Sequence, residues 1–260
     1  MNAFLVALGI SLFVNALFFG VAAWRKADTV TDLSYSLSFV CTVVALVVLA
    51  GAFDPLRLAA AGMVVLWALR LASYLFGRIL RMKVDHRFDG IRENFLAFGR
   101  FWLLQAVSVA VIMLPAIAIL IAAPPALSFL HALGVALWLV GLLVEILADA
   151  QKSAWKERGE KGLIMTGLWS WSRHPNYFGE SLLWWGLWIF ALPSLAAWWH
   201  LAVLGPLYIT LLLLRVTGIP LLEKSAEARY GNDLAYRDYK ARTSIFFPLP
   251  PHRKDANRKG

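Results

Sequence analysis

The chain has 260 residues and a single cysteine, Cys41. No intrachain disulfide can form, so nothing is stapled covalently. Cys41 lies in an apolar run and reads as an inert core residue. Charge is scarce too. Asp, Glu, Lys and Arg make up 16% of residues, against about 25% in ordinary soluble domains. Signature motifs are missing. There is no GxGxxG after a strand pattern, no Walker motif, no HExxH, no CxxC and no Ser-His-Asp signature. His86 has no His or Cys at ligand spacing, so no metal site is expected. No strand pattern and no internal repeat can be read. Any dinucleotide bound by this chain would therefore sit inside a helical bundle.

What is present is apolar. Hydrophobic residues make up 60% of the chain, which fits an all-α, polytopic membrane protein. Seven spans are expected, at approximately 2–24, 33–52, 57–77, 101–122, 127–148, 178–193 and 196–215. The first has no basic n-region or small-residue cleavage site and reads as a retained span. The net charge is +9. In a membrane protein such an excess marks cytoplasmic loops, not nucleic-acid binding. With the N-terminus outside, the inner loops are 25–32, 78–100 and 149–177, plus everything after 215. Of the 25 Lys and Arg residues, only Arg57 then falls on the outside and only Arg70 deep in a span. The C-terminus is expected to be cytoplasmic. Residues 1–250 read as one membrane domain, and 251–260 as a basic disordered tail near membrane lipids.

Several stretches carry candidate chemistry. Gly167 to Glu180, GLWSWSRHPNYFGE, is a loop turning into a helix. Trp169 and Trp171 are rings suited to a membrane interface. Arg173 and His174 precede Pro175, which is well placed at a helix start. Asn176 and Glu180 share a face at i, i+4. In span three, Arg70 sits in an apolar run, at a cost of at least about 2.5 kcal/mol unless paired or snorkelling. It shares a face with Trp67 and Tyr74, either for helix assembly or as a charged cavity wall. Glu145 and Asp149 are followed on the same face by Lys152 and Lys156. That pattern suits an ion-pair ladder or a ribose-and-phosphate site. Asp32 opens span two as a helix-start acid or a functional carboxyl. The loop from Arg78 to Arg100, with Lys83, Asp85, Arg87 and Asp89, is a solvated basic surface or a phosphate cover. Pro115 should kink span four. Gly218 and Pro220 should end the last span, leaving Glu223 near the interface. Tyr236, Arg237, Tyr239 and Arg242 then lie on a segment folding back on the inner face.

GLWSWSRHPNYFGE, with GIPLLEK at Gly218 to Lys224 and RYG…YRDYKARTSIFFP from Arg229 to Pro248, resembles membrane enzymes of the steroid 5α-reductase superfamily, in its bacterial branch. The resemblance covers nearly the whole chain and is most specific over 145–248. The RHP core is shared with isoprenylcysteine methyltransferases and sterol C14 reductases. The resemblance implies an NADPH-dependent reductase in the bacterial inner membrane. Its reaction would reduce a carbon–carbon double bond conjugated to a carbonyl in a lipid-soluble, steroid- or isoprenoid-like substrate. It implies a substrate side over 1–125 with Asp32 and Trp67 as catalytic residues. A cofactor side over 126–250 follows, with Tyr74, Glu145, Asp149, Lys156, Trp171, Arg173, Asn176, Glu180 and Arg215 binding NADPH. Two departures from the family pattern stand out. Thr31-Asp32 replaces a Gln-Glu pair, and Trp67 replaces a carbonyl-binding Tyr. Two other readings stay open: an S-adenosylmethionine-dependent methyltransferase, and a non-catalytic lipid- or sterol-binding membrane protein.

Overall fold

The computed structural model describes residues 2–25, 30–82, 90–124 and 126–251. Asp28, the loop residues 83–89 including His86, the side chains of Arg78 and Arg81, and the tail 252–260 lie outside the described residues. The described chain is helical. Among the described residues no strand occurs, only an isolated bridge between Ser172 and Ser244. The long helices are α1 (Ala3–Arg25), α2 (Thr31–Ala50), α3 (Pro55–Met82), α4 (Phe95–Ile112), α6 (Phe129–Glu157) and α7 (Pro175–Ala191). The shorter ones are α5 (Leu114–Ile121), α8 (Leu204–Leu211), α9 (Ile219–Tyr230) and α10 (Leu234–Arg242).

Among the described residues six helical stretches are long and apolar enough to cross a membrane, as in an integral multi-pass protein: Ala3–Arg25, Thr31–Ala50, Pro55–Leu75, Phe95–Ile112, Phe129–Glu157 and Ala197–Tyr230. The expected span 178–193 coincides with α7, which has only 17 residues. A regular helix of that length is at the lower limit for a crossing. The last stretch is composite: a 3-10 segment, α8, a π-helical turn at Leu212–Val216, and α9. Gly218 and Pro220 interrupt it where the sequence leads one to expect.

The chain divides into two compact units. Unit 1 comprises 1–134 and 187–208; unit 2 comprises 135–186 and 209–260. In unit 1, α1 packs on α2 and α4, and α2 on α3. Pro115 does kink its span: α4 stops at Ile112, Met113 intervenes, and α5 starts with Pro115 in its first turn. Gly205 of α8 sits against this break. A β-carbon there would lie 2.7 Å from Pro115 Cδ and 2.8 Å from the Ile112 carbonyl oxygen. Arg57, the base expected on the outer side, is buried and explained locally. It pairs with Asp54 and donates to the carbonyls of Gly51 at 3.3 Å and Ala122 at 3.1 Å. These are helix-end carbonyls that lack an intrahelical partner. Cys41 is free and half-buried.

The interior of unit 1 is polar but uncharged where α1, α2 and α4 meet. Asn15 donates to the Ser11 carbonyl at 2.8 Å and to Ser38 Oγ at 2.9 Å. Gln105 donates to Asn15 Oδ1 at 2.8 Å and to Ser34 Oγ at 3.0 Å. Ser11 Oγ donates to the Ala106 carbonyl at 3.0 Å. Hydroxyls and amides of this kind tie helices together where apolar contact alone gives no preference over lipid.

Candidate functional site

The residues expected to hold a cofactor concentrate in unit 2, and two helices build the frame. The buried face of α6 in this unit runs through Trp138, Gly141, Glu145, Ala148 and Asp149, the i, i+3, i+4, i+7 spacing of one stripe. Gly141 meets Gly179 of α7. A β-carbon on Gly141 would lie 2.5 Å from Leu183 N, and one on Gly179 would lie 2.7 Å from Glu145 N. Only glycine permits that approach of two backbones. The crossing presses Glu145 against the turn that carries Glu180. Glu145 and Asp149 are 2% and 3% exposed, and Glu180 is 9% exposed. Three acidic side chains buried in one unit are costly unless paired, and they mark a candidate site.

The loop before α7 is held from two sides. On the α6 side, Trp169 Nε1 donates to the Ala148 carbonyl at 3.0 Å, and the Leu168 N–H donates to Gln151 Oε1 at 3.0 Å. Gly167 adopts φ +63°, and a β-carbon there would strike the Gln151 side chain at 2.6 Å. Lys152 Nζ stands 4.7 Å from the centre of the Trp169 ring, a cation–π contact. On the other side runs the C-terminal segment. Tyr239 Oη donates to the Trp169 carbonyl at 2.6 Å. The Arg173 N–H donates to the Ser244 carbonyl at 2.8 Å, and Ser172 Oγ to the Phe246 carbonyl at 2.8 Å. The Leu249 N–H donates to the Trp171 carbonyl at 3.1 Å. Burial pushes the Tyr239 phenol well above its ordinary range, so it stays a donor.

Glu223 of α9 joins the two residues ahead of Pro175. It accepts from Arg173 Nη1 at 2.6 Å and from His174 Nε2 at 2.9 Å. A nitrogen facing a carboxylate must carry the proton, which leaves His174 Nδ1 as the acceptor in the neutral ring. Burial lowers the His174 pKa, and Glu223 opposes that shift without overcoming it. His174 also stacks on Tyr177 at 5.8 Å between ring centres. The buried polar atoms of this unit with no hydrogen-bond partner among the described residues include Arg173 Nε and Ser181 Oγ.

The expected site residues do not all converge. Asn176 and Glu180 lie on α7 as expected. Lys156 is exposed in the last turn of α6, two turns beyond Asp149. Trp171 is 46% exposed. Arg215 is exposed in the π-helical turn, a local irregularity often found at functional sites. Tyr74 belongs to unit 1, where the Arg70 guanidinium lies 5.3 Å from its ring centre. Asp32 is half-buried in the first turn of α2. Trp67 is fully buried against Phe39, edge to face at 5.0 Å. Gln151, Ser172, Ser181 and Glu223 were not singled out as site residues from the sequence. Of these, Glu223 had a readable signal: an acid just past a helix break, in a stretch already noted. A pocket of about 300 Å³ at the α9–α10 turn, lined by Glu227, Arg229 and Arg237 among others, contains none of the expected cofactor residues. Among the described residues no group of three or more His, Cys, Asp or Glu could hold a metal ion.

The chain belongs to the protein family described as a protein of unknown function, DUF1295, which matches residues 18–243. Comparison with curated proteins and with solved structures gives no match.

Proposed function

We propose that this protein is a membrane-embedded, NADPH-dependent reductase of a conjugated carbon–carbon double bond in a lipid-soluble substrate. The observation that carries the reading is the charged interior of unit 2. Glu145, Asp149 and Glu180 are buried beside a loop whose Arg173 and His174 are held by Glu223. The residues fit a dinucleotide chemically. Carboxylates accept from ribose hydroxyls, and Lys152, Lys156 and Arg215 balance phosphate charge. Arg173 Nε and Ser181 Oγ are buried donors with no partner of their own among the described residues. In this reading Glu145, Asp149, Lys156, Trp171, Arg173, Asn176, Glu180 and Arg215 hold the cofactor, with Tyr74 assigned to it by resemblance.

When bound, NADPH supplies a hydride for the β-carbon of the enone. The chain's task is to stabilise the negative charge that develops on the carbonyl oxygen. Asp32 is assigned that role. A carboxyl kept protonated in an apolar setting can donate a hydrogen bond to the oxygen. Trp67, assigned to the same carbonyl, offers an indole N–H. A proton delivered to the α-carbon completes the reduction. In this reading the N-terminus is outside, the C-terminus is cytoplasmic and the membrane is the bacterial inner membrane. The excess of basic residues in the loops assigned to the inner side supports that orientation.

The deciding experiment is mass spectrometry of small molecules released from detergent-purified protein. NADP(H) is the expected result. An S-adenosyl compound would instead make the protein a methyltransferase, and lipid alone would make it a binding protein.

A further inference from the structure

The residues assigned to the cofactor in unit 2 are shared between α6 and the stretch from Trp171 to Glu180. A ligand held by both needs the gap between them fixed. One attachment is the crossing of Gly141 on Gly179. A second lies about 15 Å further along α6, at 1.5 Å of rise per residue. There Gln151 meets the 3-10 turn Gly167–Ser170. Glu145 and Asp149 lie on α6 between the two attachments.

The turn has no cap of its own. Thr166 occupies the cap position, and its side chain makes no capping hydrogen bond. The N–H of the second residue in a helical turn is one that a cap side chain ordinarily satisfies, by accepting from it. Here that group is the Leu168 N–H, and it donates to Gln151 Oε1 at 3.0 Å. An N–H must face an acceptor, so the Gln151 atom at this point is its oxygen. Gly167 makes room for the amide, since a β-carbon there would lie 2.6 Å from Gln151 Oε1.

From Leu168 the order passes along the loop. The Leu168 carbonyl accepts from the N–H groups of Trp171 and Ser172, both at 3.1 Å. Ser172 is fully buried. Its Oγ accepts from the His174 N–H at 3.1 Å and donates to the Phe246 carbonyl at 2.8 Å. Trp171 and Arg173 therefore flank a residue that is bonded on three sides. We propose that Gln151 is a positioning residue of the cofactor site: its oxygen caps the 3-10 turn from α6, and through Leu168 and Ser172 it fixes Trp171 and Arg173 relative to α6. The cofactor half of this inference rests on the function proposed above. The cap does not.

Two measurements on the full-length protein in detergent test it, in wild type, Gln151→Leu and Gln151→Glu. Hydrogen–deuterium exchange is followed over residues 167–172, with the α7 residues 183–190 as an internal control. The Kd for NADPH is measured by titration calorimetry. In Gln151→Leu, exchange over 167–172 should rise about fivefold, the size of a lost cap, with 183–190 unchanged. The Kd should rise about threefold or more, because groups off their productive geometry bind less well. Gln151→Glu keeps an acceptor oxygen at the same reach and should keep exchange at the wild-type level. Unchanged exchange in Gln151→Leu would overturn the cap. So would a rise in Gln151→Glu equal to that in Gln151→Leu, which would make packing the cause. Faster exchange with an unchanged Kd would overturn the link to the cofactor. A wild type that binds no NADPH would sink the proposed function and the cofactor half with it, and exchange in the two variants would then decide the cap alone. Gln151→Met, which keeps the chain length and loses the acceptor, serves if the leucine variant does not fold.

Discussion

The two units handle buried polarity in opposite ways. At the α1–α2–α4 junction of unit 1 the interior groups are neutral: Ser11, Asn15, Ser34, Ser38 and Gln105 bond to one another and to backbone carbonyls. Unit 2 instead buries Glu145, Asp149 and Glu180 and holds an Arg173–Glu223–His174 cluster. Neutral hydrogen bonds inside a membrane protein each contribute about 0.6 to 2 kcal/mol and serve assembly. Buried charges cost several kcal/mol apiece and lend themselves poorly to that purpose. The contrast separates a unit whose interior polar groups at this junction are neutral from one whose interior holds acidic side chains and an Arg–Glu–His cluster.

The largest effect should come from breaking the charged cluster. Glu223→Leu leaves Arg173 and buried His174 without their carboxylate, at a cost of about 3 kcal/mol. Thermal unfolding in detergent should show a sharp drop or loss of folded protein. An unchanged melting temperature would mean that the cluster is solvated and the contrast with unit 1 is false.

Gly141→Ala should follow at about 2 kcal/mol, since its methyl group would meet the backbone of α7 at 2.5 Å. Cofactor binding should weaken in the same variant, because Glu145 lies at that crossing. Stability lost with full binding retained would detach the crossing from the site.

Glu180→Gln removes a charge while keeping shape. It should weaken NADPH binding about tenfold with the protein still folded, read by titration calorimetry. Full affinity in that variant would move Glu180 to the structural side of the comparison.

In unit 1, Asn15→Leu should cost about 1 kcal/mol in stability and leave NADPH affinity unaltered. A loss of affinity there would show that the neutral network also serves binding.

The smallest effect is pH-dependent. The His174 pKa is lowered in the folded protein, so the unfolded chain binds its proton more readily. This contribution to stability is complete well above the ordinary value of 6.5 and is lost as pH falls below it. Melting between pH 8 and pH 5 should show this component in wild type and not in His174→Gln.

Apolar length is a local property, so helix content and the six described stretches long and apolar enough to cross a membrane could be read from the sequence. So could the break at Pro115 and the one at Gly218. The buried face of α6 was legible because Glu145 and Asp149 share a helical period. What periodicity cannot reveal is which distant segment a residue meets. RHP and the stretch ending at Pro248 were both conspicuous, yet nothing local says that the second hydrogen-bonds to the first. Glu223 was visible as an acid near the interface, but its two partners lie some 50 residues away. Gln105 was silent, a single amide in an apolar run.

The sequence by itself determined a helical, multi-span chain and which residue types lie on which helix face, because hydropathy and the 3.6-residue period act between near neighbours. Only the tertiary structure decided which buried polar groups close on one another. It joined Gln105 to the first turn of α2, Glu223 to Arg173 and His174, and the C-terminal segment to the loop before α7. The physical reason is that each of these contacts depends on backbone approach and donor geometry at a few ångströms, set by helix crossings such as Gly141 on Gly179, and no single segment encodes it.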